Sequence, residues 1–363
     1  MLKTILVTGG AGFIGSNFLC YFTQKYPKYR VVNLDNLTYA GNLENVRECE
    51  NRSNYTFVKG DICDRKLIEE LFRKYDFHGV IHFASESHVD KSIASPFEFI
   101  NTNILGTFTL IDVAYHHWME KPNKVKAGYE NCRFHHISTD EIFGTLNFGE
   151  GRFKEETQYA PNNPYSSSKA SSNFIIRAYS KTFGMNTTTS NCSNNYGPKQ
   201  HSEKLIPKVI KNCLTGQRIP IHGDGKNIRD WIYVLDHCKA IDLIFHKGKS
   251  GEIYNVGGEM KLITSPLPRK DGKKHSEQII YVQDRPGNDL RYAMDVTKME
   301  TELDWRVEES FNSGIVKTID WYLNKYSASL ENNKIPLKKM GWPLFENKIM
   351  NTLNKHLWLI ELK

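Results

Sequence analysis

Asp140 and Glu141 stand side by side directly after a hydroxyl residue, Thr139. Adjacent carboxyl groups suit a reaction that must remove one proton and deliver another, one group ionised as base and the other protonated as acid. Tyr165 follows Thr139 by 26 residues, and Lys169 comes one helical turn later. At i, i+4 the two side chains share a helix face, so the ammonium is expected to lower the phenol's pKa and let the phenolate act as a base near neutral pH. Taken alone, either pair has a plainer reading: a surface Tyr/Lys couple, or two acids capping the turn after a strand.

A second constellation lies at the start of the chain. Thr4–Thr8 reads as a strand and runs into Gly9-Gly10-Ala11-Gly12-Phe13-Ile14-Gly15, where a helical pattern begins. Glycines at this spacing allow a tight turn, a close backbone approach to a pyrophosphate, and phosphate binding at the helix N-terminus. Asp35 ends the next strand, 20 residues beyond Gly15, where a carboxylate can bind ribose hydroxyls. It would repel a 2′-phosphate, and Asn36 and Leu37 follow it in place of an arginine, so NAD is expected rather than NADP. Asp61, after the third strand, is placed either near the adenine edge or as a plain loop aspartate.

These groups need a frame. Strands are expected at Thr4–Thr8, Arg30–Leu34, Tyr55–Lys59, Gly79–Phe83 and Phe134–Ser138, alternating with helices at Phe13–Tyr26, Lys66–Tyr75, Phe97–His116 and Pro164–Thr182. Such alternation predicts an α/β fold, a Rossmann-type doubly wound parallel sheet. A smaller, interwoven C-terminal substrate lobe is expected where Gly and Pro recur after Tyr196. The expected division is 1–190 for the NAD-binding domain with the catalytic residues, 191–330 mainly for substrate, and 331–363 as a tail of unknown role. Thr264–Lys274 reads as an exposed loop.

Composition narrows the class. Hydrophobic residues at 39% and charged residues at 25% fit a globular chain. The longest apolar runs are strand-sized, so no membrane span is expected, and Met1 leads at once into a strand, which leaves no room for a signal peptide. Seven scattered cysteines without a C-x-x-C pair read as reduced thiols in a cytoplasmic protein, with no metal site. The formal charge of +7 is spread among 41 acids and reads as a solvated surface, not a nucleic-acid footprint.

The glycine turn, the acidic ribose reader, the hydroxyl at a strand end and Y-x-x-x-K, in that order, resemble the extended short-chain dehydrogenase/reductase family. Within it the chain is similar to the dTDP-glucose 4,6-dehydratases over residues 1 to 326. The similarity is carried by Thr8-Gly-Gly-Ala-Gly-Phe-Ile-Gly-Ser-Asn17, Leu37-Thr-Tyr-Ala-Gly-Asn42, Glu86-Ser-His-Val-Asp90, Ser138-Thr-Asp-Glu141, Pro164-Tyr-Ser-Ser-Ser-Lys169, Ser193-Asn-Asn-Tyr-Gly-Pro198, Glu203-Lys-Leu-Ile-Pro207, Arg229-Asp-Trp231 and Asp284-Arg-Pro-Gly287. The resemblance implies Tyr165 as the C4 base supported by Lys169 and Thr139, Glu141 as the C5 base, and Asp140 as the C6 acid. NAD contacts are expected from Gly9, Gly12, Phe13, Ile14, Gly15, Asp35, Asn36, Thr38, Asp61, Ile62 and Thr102, together with Tyr165 and Lys169.

For a nucleotide-sugar substrate the resemblance suggests Ser87, Thr139, Asn194, Glu203, Lys204, Leu205, Pro220, His222, Arg229, Arg285 and Asn288. His222, Thr264 and Asn288 depart from the residues usual in enzymes acting on dTDP-glucose, all in the region expected to hold base and diphosphate. dTDP-glucose stays the favoured substrate, with UDP-glucose as the alternative. A sugar-nucleotide epimerase or decarboxylase is opposed by the paired carboxyl groups, and a non-catalytic NAD-binding sensor by the intact Thr139, Tyr165 and Lys169. The family also implies a homodimer formed by the helices near Phe97–His116 and Pro164–Thr182.

Overall fold

The computed structural model describes residues 3–261 and 275–332. The Thr264–Lys274 loop, with Thr264 itself, and the tail from 333 onward lie outside the described residues. The described chain forms two compact units, one of residues 3–200, 227–261 and 286–314, the other of 201–226, 275–285 and 315–332.

The first unit is built on a seven-stranded parallel sheet. Its strands are β1 (Thr4–Thr8), β2 (Arg30–Asp35), β3 (Tyr55–Lys59), β4 (Phe77–His82), β5 (Arg133–Thr139), β6 (Thr187–Cys192) and β7 (Glu252–Val256). Their spatial order is β7-β6-β5-β4-β1-β2-β3. The order reverses between β1 and β4, and such a switch point opens a crevice at the carboxyl ends of the strands. The expected doubly wound sheet is therefore present.

Every residue of β1 is buried, because helices cover both faces of the sheet. Ile5, Val7, Val31 and Ile81 pack on one side with Phe18, Phe22, Val234, Ile241 and Phe245, from helices α1 (Phe13–Lys25) and Val234–Lys247. Leu6, Val32, Val80 and Phe134 pack on the other with Ile68, Phe72, Leu110, Ile111 and Ile176. The helices supplying these are α2 (Arg65–Tyr75), α3 (Thr107–Trp118) and α4 (Pro164–Phe183). In α2 the buried residues are Ile68, Leu71, Phe72 and Tyr75, a spacing of three and four that makes one apolar stripe.

Two findings depart from the sequence-based picture. The stretch expected as one helix over Phe97–His116 is broken into a turn at Pro96–Phe99, a wider π-helical run at Ile100–Gly106, and then α3. The wider run carries Asn103, whose amide donates to the Glu86 carbonyl (3.0 Å) and to Ser168 Oγ (2.8 Å), while its Oδ1 accepts from the Glu86 N–H (2.8 Å). That side chain fastens the loop after β4 to α4.

The second departure is β6, Thr-Thr-Thr-Ser-Asn-Cys, fully buried and almost wholly polar. No apolar run predicts it. Burial is tolerated because its groups pair within the layer. His135 bridges Thr188 Oγ1 (2.9 Å) and Ser190 Oγ (3.2 Å). Asn191 accepts from Asn173 (3.1 Å) and donates to Asn255 (3.3 Å), which in turn donates to the Phe153 carbonyl (3.0 Å).

The α4 helix starts with a reciprocal cap. Asn163 Oδ1 accepts from the Ser166 N–H (2.9 Å), and Ser166 Oγ accepts from the Asn163 N–H (3.2 Å), with Pro164 at the first helical position. Gly184 closes the other end in the left-handed region at φ 71°, a conformation that favours glycine. Replacing Asn163 by Ala removes the cap, and we expect a loss of about 1 kcal/mol of stability. Chemical denaturation of the two proteins side by side measures it, and equal midpoints would refute the assignment.

Candidate active site

The first unit gathers the expected catalytic residues at the carboxyl end of β5. Thr139 is the last residue of that strand, and its Oγ1 accepts from the Glu141 N–H (3.3 Å), so that Asp140–Phe143 turns as a short 3-10 helix. Thr139 also donates to Asp140 Oδ1 (3.2 Å). Asp140 is 1% exposed, and its Oδ2 is buried with no hydrogen-bond partner. Burial, the neighbouring Glu141 charge and Asp230 hold the Asp140 carboxyl well above its ordinary range, against a smaller opposing pull from Arg229. These surroundings favour the protonated form of the carboxyl group, beside a second carboxyl group.

Helix α4 presents Tyr165 and Lys169 from its first two turns, both buried. The Lys169 ammonium donates to the Ile137 carbonyl (2.8 Å), which locks the helix against β5, and burial pushes its pKa down to about 8. Tyr165 does not behave as the spacing predicts. Burial first, then the Glu141 charge, drive its phenol well above the ordinary value, and only the Thr139 hydroxyl pulls it down. In the protein by itself the lysine is engaged by a carbonyl, so the expected lowering of the phenol is not produced by Lys169 alone.

The glycine turn fits the pyrophosphate of a dinucleotide. Helix α1 begins at Gly12 with no side-chain cap and no acidic residue in its first turn, which leaves its N–H groups and positive dipole end available to an anion. Gly9 has φ 70°, and a Cβ there would meet the Ala84 nitrogen at 2.6 Å; one on Gly15 would meet the Gly9 carbonyl oxygen at 2.4 Å. Phe13 and Ile14 fall in the first helical turn. Asp35 accepts from the Ala11 N–H and the Leu37 N–H (2.8 Å each), so the carboxylate is held at the mouth of the turn, and burial raises its pKa against these two bonds.

Further along the same edge, Asn36 donates to Asp61 Oδ2 (2.8 Å), and Asp61 Oδ1 accepts from the Cys63 N–H (2.8 Å). Ile62 is buried, and Thr38 closes a turn whose carbonyl accepts from the Gly41 N–H (3.1 Å). Ser87 lies in the loop after β4 and Thr102 in the π-helical run. These residues line the ends of β1 to β4, where the fold places a dinucleotide.

Of the expected substrate residues, the first unit holds Ser87, Thr139, Asn194, Arg229 and Asn288. Asn194 begins the strand Asn194–Tyr196, paired with Arg229–Tyr233. Arg229 stacks its guanidinium 4.3 Å from the Tyr292 ring centre and donates to the Ile228 (3.0 Å), Leu290 (3.3 Å) and Asp289 (2.8 Å) carbonyls and to Asn288 Oδ1 (3.3 Å). Tyr292, absent from the sequence-based set, is buried, donates to Asp289 Oδ2 (2.6 Å), and feels the Glu141 charge. A buried tyrosine donating three residues back leaves no periodic mark in a sequence.

The second unit holds the remainder. Lys204 precedes helix Leu205–Thr215, and its N–H donates to the His201 carbonyl (3.1 Å). Glu203 lies 3.5 Å from His201, and Leu205 is largely exposed. Pro220 and His222 belong to strand Ile219–His222, paired in parallel with Ile279–Val282; the Arg285 N–H donates to Asp284 Oδ1 (2.8 Å). Among the described residues no group of three or more His, Cys, Asp or Glu side chains is arranged to hold a metal ion.

Comparison with known proteins agrees with this geometry. The family profile described as GDP-mannose 4,6 dehydratase matches residues 6–318. A dTDP-glucose 4,6-dehydratase of Xanthomonas campestris pv. campestris (strain B100) is 48% identical over 335 residues, 89% of this chain and 93% of that protein. One from Escherichia coli is 47% identical over 339 residues, covering 88% and 92%. The crystal structure of dTDP-glucose 4,6-dehydratase from Streptomyces venezuelae, with NAD and dTDP bound, superposes with a TM-score of 0.80 at 38% identity, covering 90% of this chain and 98% of that one.

The buried acid has a signature in stability. Its unfolded value is 3.8 and its folded value lies well above, so between the two the unfolded state ionises while the folded state keeps its proton, and stability falls as pH rises. Asp140→Asn removes that penalty. The variant's advantage over the parent is expected to be absent near pH 4 and to widen toward neutrality by up to about 1.4 kcal/mol per pH unit. Urea denaturation across this range tests it; a constant difference would show that the carboxyl is ionised in the folded protein.

Proposed function

The chain belongs to the GDP-mannose 4,6-dehydratase family of extended short-chain dehydrogenases/reductases, within it to the dTDP-glucose 4,6-dehydratases, and we propose on that basis that it is an NAD-dependent lyase converting dTDP-glucose to the 4-keto-6-deoxy sugar nucleotide. One observation carries the chemistry: a buried Asp140 whose surroundings favour the protonated carboxyl, next to Glu141, within hydrogen-bond reach of Thr139 and directly after β5, the strand whose Ile137 carbonyl holds Lys169. An epimerase needs no such acid.

NAD, held by the glycine turn and Asp35, would supply a hydride acceptor at C4 and a hydride donor at C6, so that no net redox change would result. Tyr165 accepts the C4 hydroxyl proton, with the Thr139 hydroxyl lowering the phenol's pKa against burial and the Glu141 charge. Lys169, already fixed on the Ile137 carbonyl, orients the ribose beside it. With a ketone at C4 the C5 hydrogen is acidified; Glu141 removes it as a proton and gives it back to C5 when C6 takes up hydride. Asp140 delivers its proton to the C6 oxygen, which departs as water. Asp140 is suited to this because burial favours the protonated form of its carboxyl group.

In this reading the first unit holds NAD and the reacting sugar ring, with Arg229 toward the diphosphate. Arginine suits the diphosphate because its planar fork makes paired, charge-assisted bonds. The protein works in the cytoplasm, a reducing compartment that suits seven cysteines of which none is in a disulfide.

It works as a homodimer. Phe97 (72% exposed), Phe174 (58%), Leu105 (50%), Ile100 and Phe108 leave a large apolar surface on the Pro96–Trp118 segment and α4. Patches of this kind mark association sites, and two copies packing these helices together bury both.

Incubation with dTDP-glucose, with UDP-glucose in parallel, tests the activity: a 4-keto-6-deoxy product is expected from the former, and failure of both would overturn the reading. Tyr165→Phe is expected to keep sugar-nucleotide binding yet lose turnover by at least about 100-fold, the low end for a positioned acid or base; near-normal turnover would remove Tyr165 from the mechanism. Light scattering is expected to give twice the monomer mass, and Phe97→Asp with Phe174→Asp to return it to the monomer. A wild-type monomer at micromolar concentration would refute the dimer.

A further inference from the structure

Cys20 on α1 and Cys49 in the short helix Arg47–Glu50 face each other with sulfurs 3.0 Å apart. The Lys199 ammonium stands 3.4 Å from Cys20 Sγ and 3.3 Å from Glu48 Oε1. We infer that Cys20, Cys49 and Lys199 form a redox-active thiol site whose oxidant is a peroxide and whose product is a Cys20–Cys49 disulfide.

Three observations carry the inference. First, the Lys199 side chain is only 8% exposed, whereas its carboxylate partner Glu48 is 67% exposed. A buried ammonium needs a counter-charge, and a solvated carboxylate supplies little; the Cys20 thiolate supplies the rest. Second, Lys199 is held there by an unusual backbone. Its φ is 70°, in the left-handed region that non-glycine residues rarely adopt, and the preceding Pro198 carbonyl accepts from Asn17 of α1 (3.0 Å). Third, the pair divides the work of a thiol switch. Cys20 is partly open to solvent and Cys49 is fully buried behind it. The hydrogen bond from Cys49, with Lys199, holds the Cys20 thiol below its ordinary range.

Cys63, Cys132, Cys192 and Cys238 are all pushed upward by burial, which makes their thiols inert.

The chemistry closes. The Cys20 thiolate attacks one oxygen of hydrogen peroxide, the O–O bond breaks, and hydroxide leaves a sulfenic acid on Cys20. Cys49, giving up its proton, attacks the Cys20 sulfur; the S–O bond breaks and water departs. Two thiols are oxidised by two electrons, and one peroxide is reduced to two waters. Since a disulfide measures about 2.05 Å, the sulfurs need approach by only about one ångström. The bond would join α1 to the segment whose Asn42 N–H and Asn45 side chain both donate to the Ala11 carbonyl of the glycine turn (3.0 Å each).

The test is to treat the holoenzyme with a small excess of hydrogen peroxide at neutral pH, alkylate, digest without reduction and analyse by mass spectrometry. A Cys20–Cys49 crosslinked peptide lighter by two hydrogens is expected, reversed by dithiothreitol, with the other five cysteines alkylated as before. Cys49→Ser is expected to stop Cys20 at a sulfenic acid that dimedone traps. Lys199→Met is expected to slow iodoacetamide alkylation of Cys20 by about tenfold, the effect of one pKa unit. A Cys20 that stays free, or is over-oxidised without the crosslink, overturns the pair. An unchanged alkylation rate in Lys199→Met overturns the role of the lysine.

Discussion

Asp140, Tyr165 and Lys169 are withdrawn from water together, at 1%, 8% and 4% exposure, and the rest of the first unit is arranged around holding them there. Burial favours the neutral form of each group. Applied to a carboxyl group, it retains a proton for delivery; applied to a phenol, it resists ionisation until an added positive charge is brought near; applied to an ammonium, it makes the carbonyl of Ile137 an obligatory partner. The same desolvation that costs stability sets the protonation states the chemistry needs.

Holding such groups requires rigid neighbours. The start of α4 is fixed by its reciprocal cap, and its flank by Asn103, which binds Ser168 and both main-chain groups of Glu86. A regular α-helix over 100–106 would turn Asn103 to another face, so the π-helical widening has a positional consequence. On the other side of β5, His135 is held neutral, its pKa pushed down to about 3 by burial, and both ring nitrogens are satisfied by β6. A polar layer fully paired in this way adds directional constraints that an apolar layer lacks.

Much of the site was legible in the residue order. The glycine turn, Asp35, Thr139 with its two acids, and Tyr165 with Lys169 could be named because each depends on local spacing: a strand end, a helix N-terminus, one helical turn. Strands β1 to β5 could be placed because each carries a short apolar stretch between helix-like segments. β6 could not, since its burial is supported by hydrogen bonds to His135, Asn173 and Asn255, residues distant in sequence. For the same reason Tyr292 and Asn103 carried no mark.

The sequence by itself determined which groups are present and which lie on one helix or at one strand end, since backbone periodicity decides that locally. Only the tertiary structure decided their protonation. Tyr165 and Lys169 at i, i+4 predict a lowered phenol, yet the folded chain buries the phenol and sets Glu141 against the phenolate while Lys169 is held by the Ile137 carbonyl, so the phenol rises. Asp140 and Glu141, chemically alike and adjacent, are told apart in the sequence only by resemblance, whereas in the folded chain it is the burial of Asp140 that favours its protonated form. A pKa is the sum of desolvation and of charges brought together by the fold, and neither term exists until the chain has closed around the group.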